Sequence, residues 1–224
     1  MGNIFNPDAP LMQGLSKVAD MIILNLLTVI CCIPIITIGA AVTALYDATG
    51  RMIRDEGGVY RGFFRALVSN FKQATVIWLI VLLSGGLLGY SMIFYVTNDM
   101  MALVVLAAVL VLLWAVTVAW VFPLQSRFEN NVKTTIKNAL LCGLGYLPRS
   151  VIMSVINLLP WVLLLFWTNM FLQIGIVWVT VWFGLAAYVN MMVLRKPFKK
   201  FAGEEDEEPD TLDEDEEDEE YEEE

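Results

Sequence analysis

Five apolar stretches dominate the hydropathy pattern of the chain, at residues 21–45, 74–96, 101–124, 151–167 and 174–194. A hydrocarbon core of about 30 Å needs roughly 20 apolar residues of helix. Each stretch is therefore read as a transmembrane helix. None of the last four contains Asp, Glu, Lys or Arg, as insertion into hydrocarbon demands. The expected fold is an all-α, polytopic transmembrane bundle of five spans. The first stretch is interrupted by Pro34 and Gly39. A break at Ile33-Pro34 would replace it by two helices, over about 10–32 and 38–54, giving six crossings. The first of these would then carry Lys17 and Asp20.

The polar segments between these stretches are unequal, and their charges give an orientation. Segment 46–73 holds Arg51, Arg54, Arg61, Arg65 and Lys72, and segment 125–150 holds Arg127, Lys133, Lys137 and Arg149. Arg195, Lys196, Lys199 and Lys200 follow the last stretch. Only Lys17 lies elsewhere, and the short turns 97–100 and 168–173 have no basic residue. By the positive-inside rule the long loops and the C-terminus face the cytoplasm. These loops also carry helical signals. Asp47, Arg51 and Asp55 are spaced by four, as on one exposed helix face. Gly57-Gly58 is the expected end of that helix. Arg61-Gly-Phe-Phe-Arg65, with Phe71 beyond, predicts an amphipathic helix at the headgroups. Arg127-Phe-Glu-Asn-Asn repeats the theme in the second loop.

Composition sharpens this picture. Hydrophobic residues make up 58% of the 224 residues, more than a soluble interior of this size can hide. The formal charge of −10 is segregated by position. Seventeen of the 24 acidic residues lie in 204–224, which has no Lys or Arg. The domain reading is thus a transmembrane domain over 1–203 and a disordered acidic tail over 204–224, with too little to bury to fold alone. The tail is either solvated charge or a partner for Arg51, Arg54, Arg61 and Arg65. No basic n-region or cleavage site marks a secretory signal peptide, so the first stretch is expected to remain in the mature protein.

Candidate chemistry is sparse. There is no histidine, and Cys31, Cys32 and Cys142 form neither a disulfide framework nor a metal-ligand spacing. GxxxxGK[ST], HExxH and GxSxG are missing. No catalytic, cofactor-binding or metal-ligating residue is assigned, and the protein is expected not to be an enzyme. The polar residues within the stretches are neutral: Asn25, Thr28, Thr37, Thr43, Ser154, Asn157 and Asn190. Interhelical hydrogen bonding is their ordinary use, and a site for a neutral solute their functional one. Gly85 and Gly89 form a GxxxG, the mark of a helix-packing face. Trp161 and Trp167 suit interfacial anchoring, and Trp114 and Trp178 lie deeper.

Asn25-Leu-Leu, the block Pro34-Ile-Ile-Thr-Ile-Gly-Ala-Ala-Val-Thr-Ala-Leu-Tyr46, Asn70-Phe-Lys-Gln-Ala74, and Phe122-Pro-Leu-Gln-Ser-Arg-Phe-Glu129 with Lys137-Asn-Ala139 stand out along the chain. Together they resemble the YesL family of uncharacterised bacterial integral membrane proteins. The acidic tail has no counterpart in that resemblance. The resemblance implies a bacterial plasma membrane and a non-enzymatic accessory or regulatory role in carbohydrate uptake or sensing. Its partners would be the lipid bilayer and a transporter or sensor subunit, without nucleic acid. Homo-oligomerisation stays open. The alternative is a small facilitator for a neutral solute such as a sugar, with Pro34 and Gly39 supplying a broken helix.

Overall fold

The computed structural model describes residues 10–166 and 168–202, with side chains over 14–159 and 181–201. All regular structure among them is helical: α1 (Pro10–Cys31), a 3-10 turn (Ile35–Thr37), α2 (Ile38–Ile53), α3 (Val59–Ser69), α4 (Phe71–Thr97), α5 (Met101–Arg127), α6 (Val132–Gly145), α7 (Leu147–Phe166) and α8 (Thr168–Ala202). By compactness the described residues up to Val193 form one unit and those from Leu194, the last turns of α8, another. The acidic tail, Trp167, and the side chains of Trp161 and Trp178 lie outside the described residues.

Among the described residues three helices are long and apolar enough to cross a membrane: Gly14–Cys31 within α1, α4 and α5. A fourth is added if α6 and α7, which meet at 108°, count as one broken span. At 1.5 Å per residue, α4 and α5 reach about 40 Å each, enough for a bilayer. The fold of the described residues is thus all-helical, with several long apolar helices that fit a membrane protein.

The first stretch is not one helix over 21–45. Proline lacks the N–H that would continue α1 and disfavours helix at the residue before it. Pro34 accordingly adopts φ −76°, ψ 124°, and α1 ends at Cys31. The Thr37 hydroxyl donates to the Pro34 carbonyl at 2.7 Å and to that of Cys31, and so satisfies a helix-end acceptor. α1 and α2 thus form a hairpin, closed at its far end by polar contacts. Lys17 Nζ lies 2.8 Å from Asp55, and Tyr60 donates its hydroxyl proton to Asp20. Burial first, then the Asp20 carboxylate, pushes the Tyr60 phenol up to about 12.

The break lies against the first turns of α4. Trp78 Nε1 donates to the Ile35 carbonyl at 2.9 Å and Thr75 Oγ1 to that of Ile36 at 3.3 Å. A Cβ on Gly39 would fall 2.5 Å from Trp78 Cβ and against the Ala74 carbonyl oxygen, so only glycine permits this crossing. α2 ends in a Schellman motif. Glu56 N–H bonds Arg51 O at 2.9 Å, Asp55 N–H bonds Met52 O at 3.3 Å, and Asp55 takes φ +55°. Gly57-Gly58 therefore does not end α2. Gly58, at φ +74°, begins α3 instead. α4 closes in the same way, with Asp99 at φ +55° and Met100 N–H on Tyr95 O at 3.0 Å.

Buried side chains concentrate in the loop-end halves of α4 and α5: Ala74, Ile77 and Val81 from α4, Val116 and Ala119–Gln125 from α5. Towards the 98–100 turn the apolar side chains face outwards, Leu83 being 72% exposed and Leu87 67%, as lipid contact requires.

Two further expectations change. The second loop is helical, as its signals suggest, but not over Arg127-Phe-Glu-Asn-Asn: α5 ends at Arg127, residues 128–131 are not helical, and α6 runs back along α5. Gly143 is the point of closest approach, where a Cβ would come 2.5 Å from Val116. Trp120 Nε1 donates to Ser150 Oγ at 2.7 Å, and Ser150 donates to Gly143 O at 2.7 Å, binding α5, α6 and α7 together. Nor is 168–173 a turn, since α8 begins at Thr168. Thr168–Gln173 contains no glycine or proline, and Met, Phe, Leu and Gln are acceptable in a helix.

Candidate functional site

At the loop end of the bundle, the end of α2, α3, the start of α4, the end of α5 and the start of α6 enclose a cleft of about 670 Å³. Its wall is mostly polar. Asn70 caps the junction of α3 and α4, holding the Ala66 carbonyl with Nδ2 at 3.1 Å. Gln125 is buried in the last turns of α5 and donates to Asn70 Oδ1 at 3.2 Å. Gln73 donates to Gln125 Oε1 at 3.1 Å and to the Asn130 carbonyl. Thr135, buried on α6, donates to the same Gln125 oxygen at 3.3 Å. One amide network thereby fixes α4, α5, the 128–131 connection and α6. A buried amide left without partners costs ~1–3 kcal/mol, so these residues act as a unit.

Arg51, Arg65 and Arg127 project from three helices into this frame. Arg51 is held by Asp47, with Nε to Oδ2 at 2.9 Å, and lies 3.5 Å from Glu56. The expected Arg51–Asp55 pair does not form, because Asp55 has turned to Lys17 at the αL corner. Arg54 turns to Glu56 at 2.5 Å. That hydrogen bond, with the charges of Arg54, Arg51 and Arg127, holds the Glu56 carboxyl below the usual glutamate range against an opposing effect of burial. Among the described residues no carboxylate lies within 4.0 Å of Arg65 or Arg127. Arg61 is exposed on α3, outside the lining, and Phe64 and Val68 are exposed on the same helix.

The neutral polar residues flagged within the stretches do not converge on this cleft. Asn25 is buried and accepts the Gly184 N–H at 2.7 Å, joining α1 to α8. Thr28 and Thr43 return their hydroxyls to Leu24 O and Gly39 O within their own helices, both at 2.8 Å. Asn190 donates to Tyr46 Oη at 3.0 Å and to Asn157 Oδ1 at 3.1 Å, joining α8 to α2 and α7. Within this group Asn190 Oδ1 and Ser154 Oγ are buried without a partner. Gly85 faces Trp114 of the same chain, where a Cβ would meet Cζ2 at 2.5 Å, whereas Gly89 has open space. Trp114 Nε1 also bonds Ser84 Oγ at 3.0 Å. A second, more apolar cavity of about 870 Å³ lies between α1 and the α2–α3 corner, beside Lys17, Asp20 and Asp55. The three cysteines are free and half-buried. Among the described residues no three metal-ligating side chains gather.

Sequence reasoning assigned no role to Asn70, Gln73, Gln125 or Thr135. The available signal was uncharged amides beside arginines at the mouths of apolar stretches. Comparison with curated proteins and with solved structures finds no match. A family model described as "Protein of unknown function, DUF624" matches residues 21–92, a region that includes Asp47, Arg51, Arg65, Asn70 and Gln73 of the cleft wall.

Proposed function

We propose that this chain is a non-enzymatic accessory or regulatory protein of a bacterial plasma membrane. Its cleft is a recognition surface at the cytoplasmic face. One observation carries the reading. Tyr46-adjacent Asp47, Asn70 with Gln73, and Gln125 to Glu129 come from or directly beside three separated segments that resemble the YesL family, and all line one hydrogen-bonded cleft. Order of this kind, built from polar helix ends and the 128–131 connection, serves recognition better than lipid burial. The link to carbohydrate uptake rests on the resemblance alone. Crosslinking in intact membranes followed by co-purification should enrich a transporter or sensor subunit over unrelated membrane proteins. Failure to enrich one removes the accessory reading. Orientation is tested with single cysteines in a cysteine-free background. Positions 59 and 131 should be protected from an impermeant thiol reagent in intact cells, and position 98 should label. The opposite pattern inverts the topology.

A second reading, a small facilitator for a neutral solute, draws support from the buried unpaired Asn190 Oδ1 and Ser154 Oγ beside Tyr46 and Asn157. Reconstituted vesicles would then take up a sugar without an ion gradient, and inertness across a broad panel would refute it.

A further inference from the structure

We infer that the α2–α6 cleft binds a phosphate group, borne by a phospholipid headgroup or by a soluble phosphate ester. The inference rests on reading the cleft as a recognition surface and names its ligand chemistry. Three features converge. First, the amide network is closed on itself: Asn70 Oδ1 takes Gln125, Gln125 Oε1 takes both Gln73 and Thr135, and Gln73 also donates to the Asn130 carbonyl. The charge that a ligand meets there comes from the arginines, not from the amides. Second, Arg65 and Arg127 face the cleft with no carboxylate within 4.0 Å among the described residues, while Asp47 is occupied by Arg51. Glu129, the other carboxylate of the wall, is exposed. It leaves the three arginines in excess over two acids. Third, α6 opens on the cleft through Asn131 and Thr134, and Asn131 provides no side-chain cap. The first N–H groups of α6 thus lack intrahelical acceptors and add the positive end of its dipole.

Two guanidinium forks and an uncapped helix start match an acceptor-only group with three or more oxygens. A single carboxylate would leave part of that donor set unused. The cavity volume suits one such group with its substituent, and the neighbouring exposed Phe64 and Val68 of α3 suit the headgroup region.

The test uses the full chain in a phosphate-free neutral detergent, with the thermal unfolding midpoint followed during titration. Inorganic phosphate, sodium chloride at matched ionic strength, and glutamate are compared, and phosphatidylglycerol is added as mixed micelles in a separate arm. A saturable rise with phosphate identifies a soluble ester as sufficient. A rise confined to phosphatidylglycerol identifies the headgroup. Arg65→Gln and Arg127→Gln should each weaken the response at least about tenfold, as loss of a charge-assisted hydrogen bond implies. Arg61→Gln, outside the cleft, should leave it unchanged. If Arg127→Gln fails to fold, the exposed Arg65→Gln decides alone. The inference is overturned if neither phosphate source exceeds the chloride control, if glutamate matches phosphate, or if Arg61→Gln weakens the response as much as Arg65→Gln. Crosslinked enrichment of a partner that persists after such a result leaves the accessory reading standing, with an acidic protein segment as the better occupant.

Discussion

Gly39→Ala should destabilise the protein by about 2–3 kcal/mol, and the reason is local. Gly39 is the second residue of α2, and an added Cβ would sit 2.5 Å from Trp78 Cβ and against the Ala74 carbonyl oxygen. Carbon atoms pack best at ~3.5–4.0 Å, so the helices must separate by more than about 1 Å. Neither obstacle can swing aside. One is backbone and the other is a Cβ, and the Trp78 ring is held by its 2.9 Å bond to Ile35 O. Overpacking of this kind costs ~1–3 kcal/mol. Separation also strains the bonds from Trp78 and Thr75 to the break, each worth ~0.5–1.5 kcal/mol. Alanine's helical advantage over glycine, ~1 kcal/mol at most and smaller at a helix start, offsets only part of this. Reversible unfolding of the purified chain in mixed micelles, titrated with dodecyl sulfate, measures the difference. Gly86→Ala, with nothing within 4 Å, is the control and should lose no stability. A Gly39→Ala protein within ~0.5 kcal/mol of wild type would refute the α2–α4 crossing.

The same titration checks two further substitutions. Gly85→Ala should cost ~1–2 kcal/mol by displacing Trp114, while Gly89→Ala should be neutral or stabilising by up to ~1 kcal/mol, and equal losses at both would place a second partner on Gly89. Asp99→Gly should stabilise by ~0.5–1 kcal/mol because φ +55° costs glycine nothing, and Asp99→Val should destabilise by ~1–2 kcal/mol. Glu56 gives a pH dependence. Its folded carboxyl titrates below its unfolded value, so its small contribution is present above about pH 4.3 and is lost as pH falls through the depressed folded value. Comparing wild type with Glu56→Gln by trypsin sensitivity of the α2–α3 corner checks this. The difference between them should shrink as pH falls below that range, and a difference that grows would reverse the sign.

The helices that run between clear punctuation were legible. Residues 74–96 and 101–124 became α4 and α5, extended by a few residues at the loop end where Asn70 and Arg127 mark the boundary. Pro34 carried the right signal for the break, but apolar composition on both sides made one span over 21–45 equally consistent with length. The decision came from tertiary hydrogen bonds, Trp78 and Thr75 to the break, which no local pattern encodes. Gly57-Gly58 misled for a related reason. The C-cap needs a left-handed residue, and Asp55 supplies it two positions earlier, an uncommon but tolerated role for aspartate.

The cleft was half-legible, and the two halves differ in kind. Spacing by four found the Asp47–Arg51 pair because a helix brings those positions together by itself. It could not find the partnership of Gln125 with Asn70 and Gln73, 55 and 52 residues away, which exists only once α4 and α5 have paired. Amides are also silent in a charge count, so 46–73 and 125–150 read as separate basic loops. Folding makes them one surface with a chemical bias. Arg51 and Arg54 are answered by Asp47 and Glu56, whereas Arg65 and Arg127 come from different helices and, among the described residues, have no carboxylate within 4.0 Å. The amide network, rather than the arginines themselves, joins α4, α5 and α6 at this surface, and so positions the two charges that no carboxylate touches.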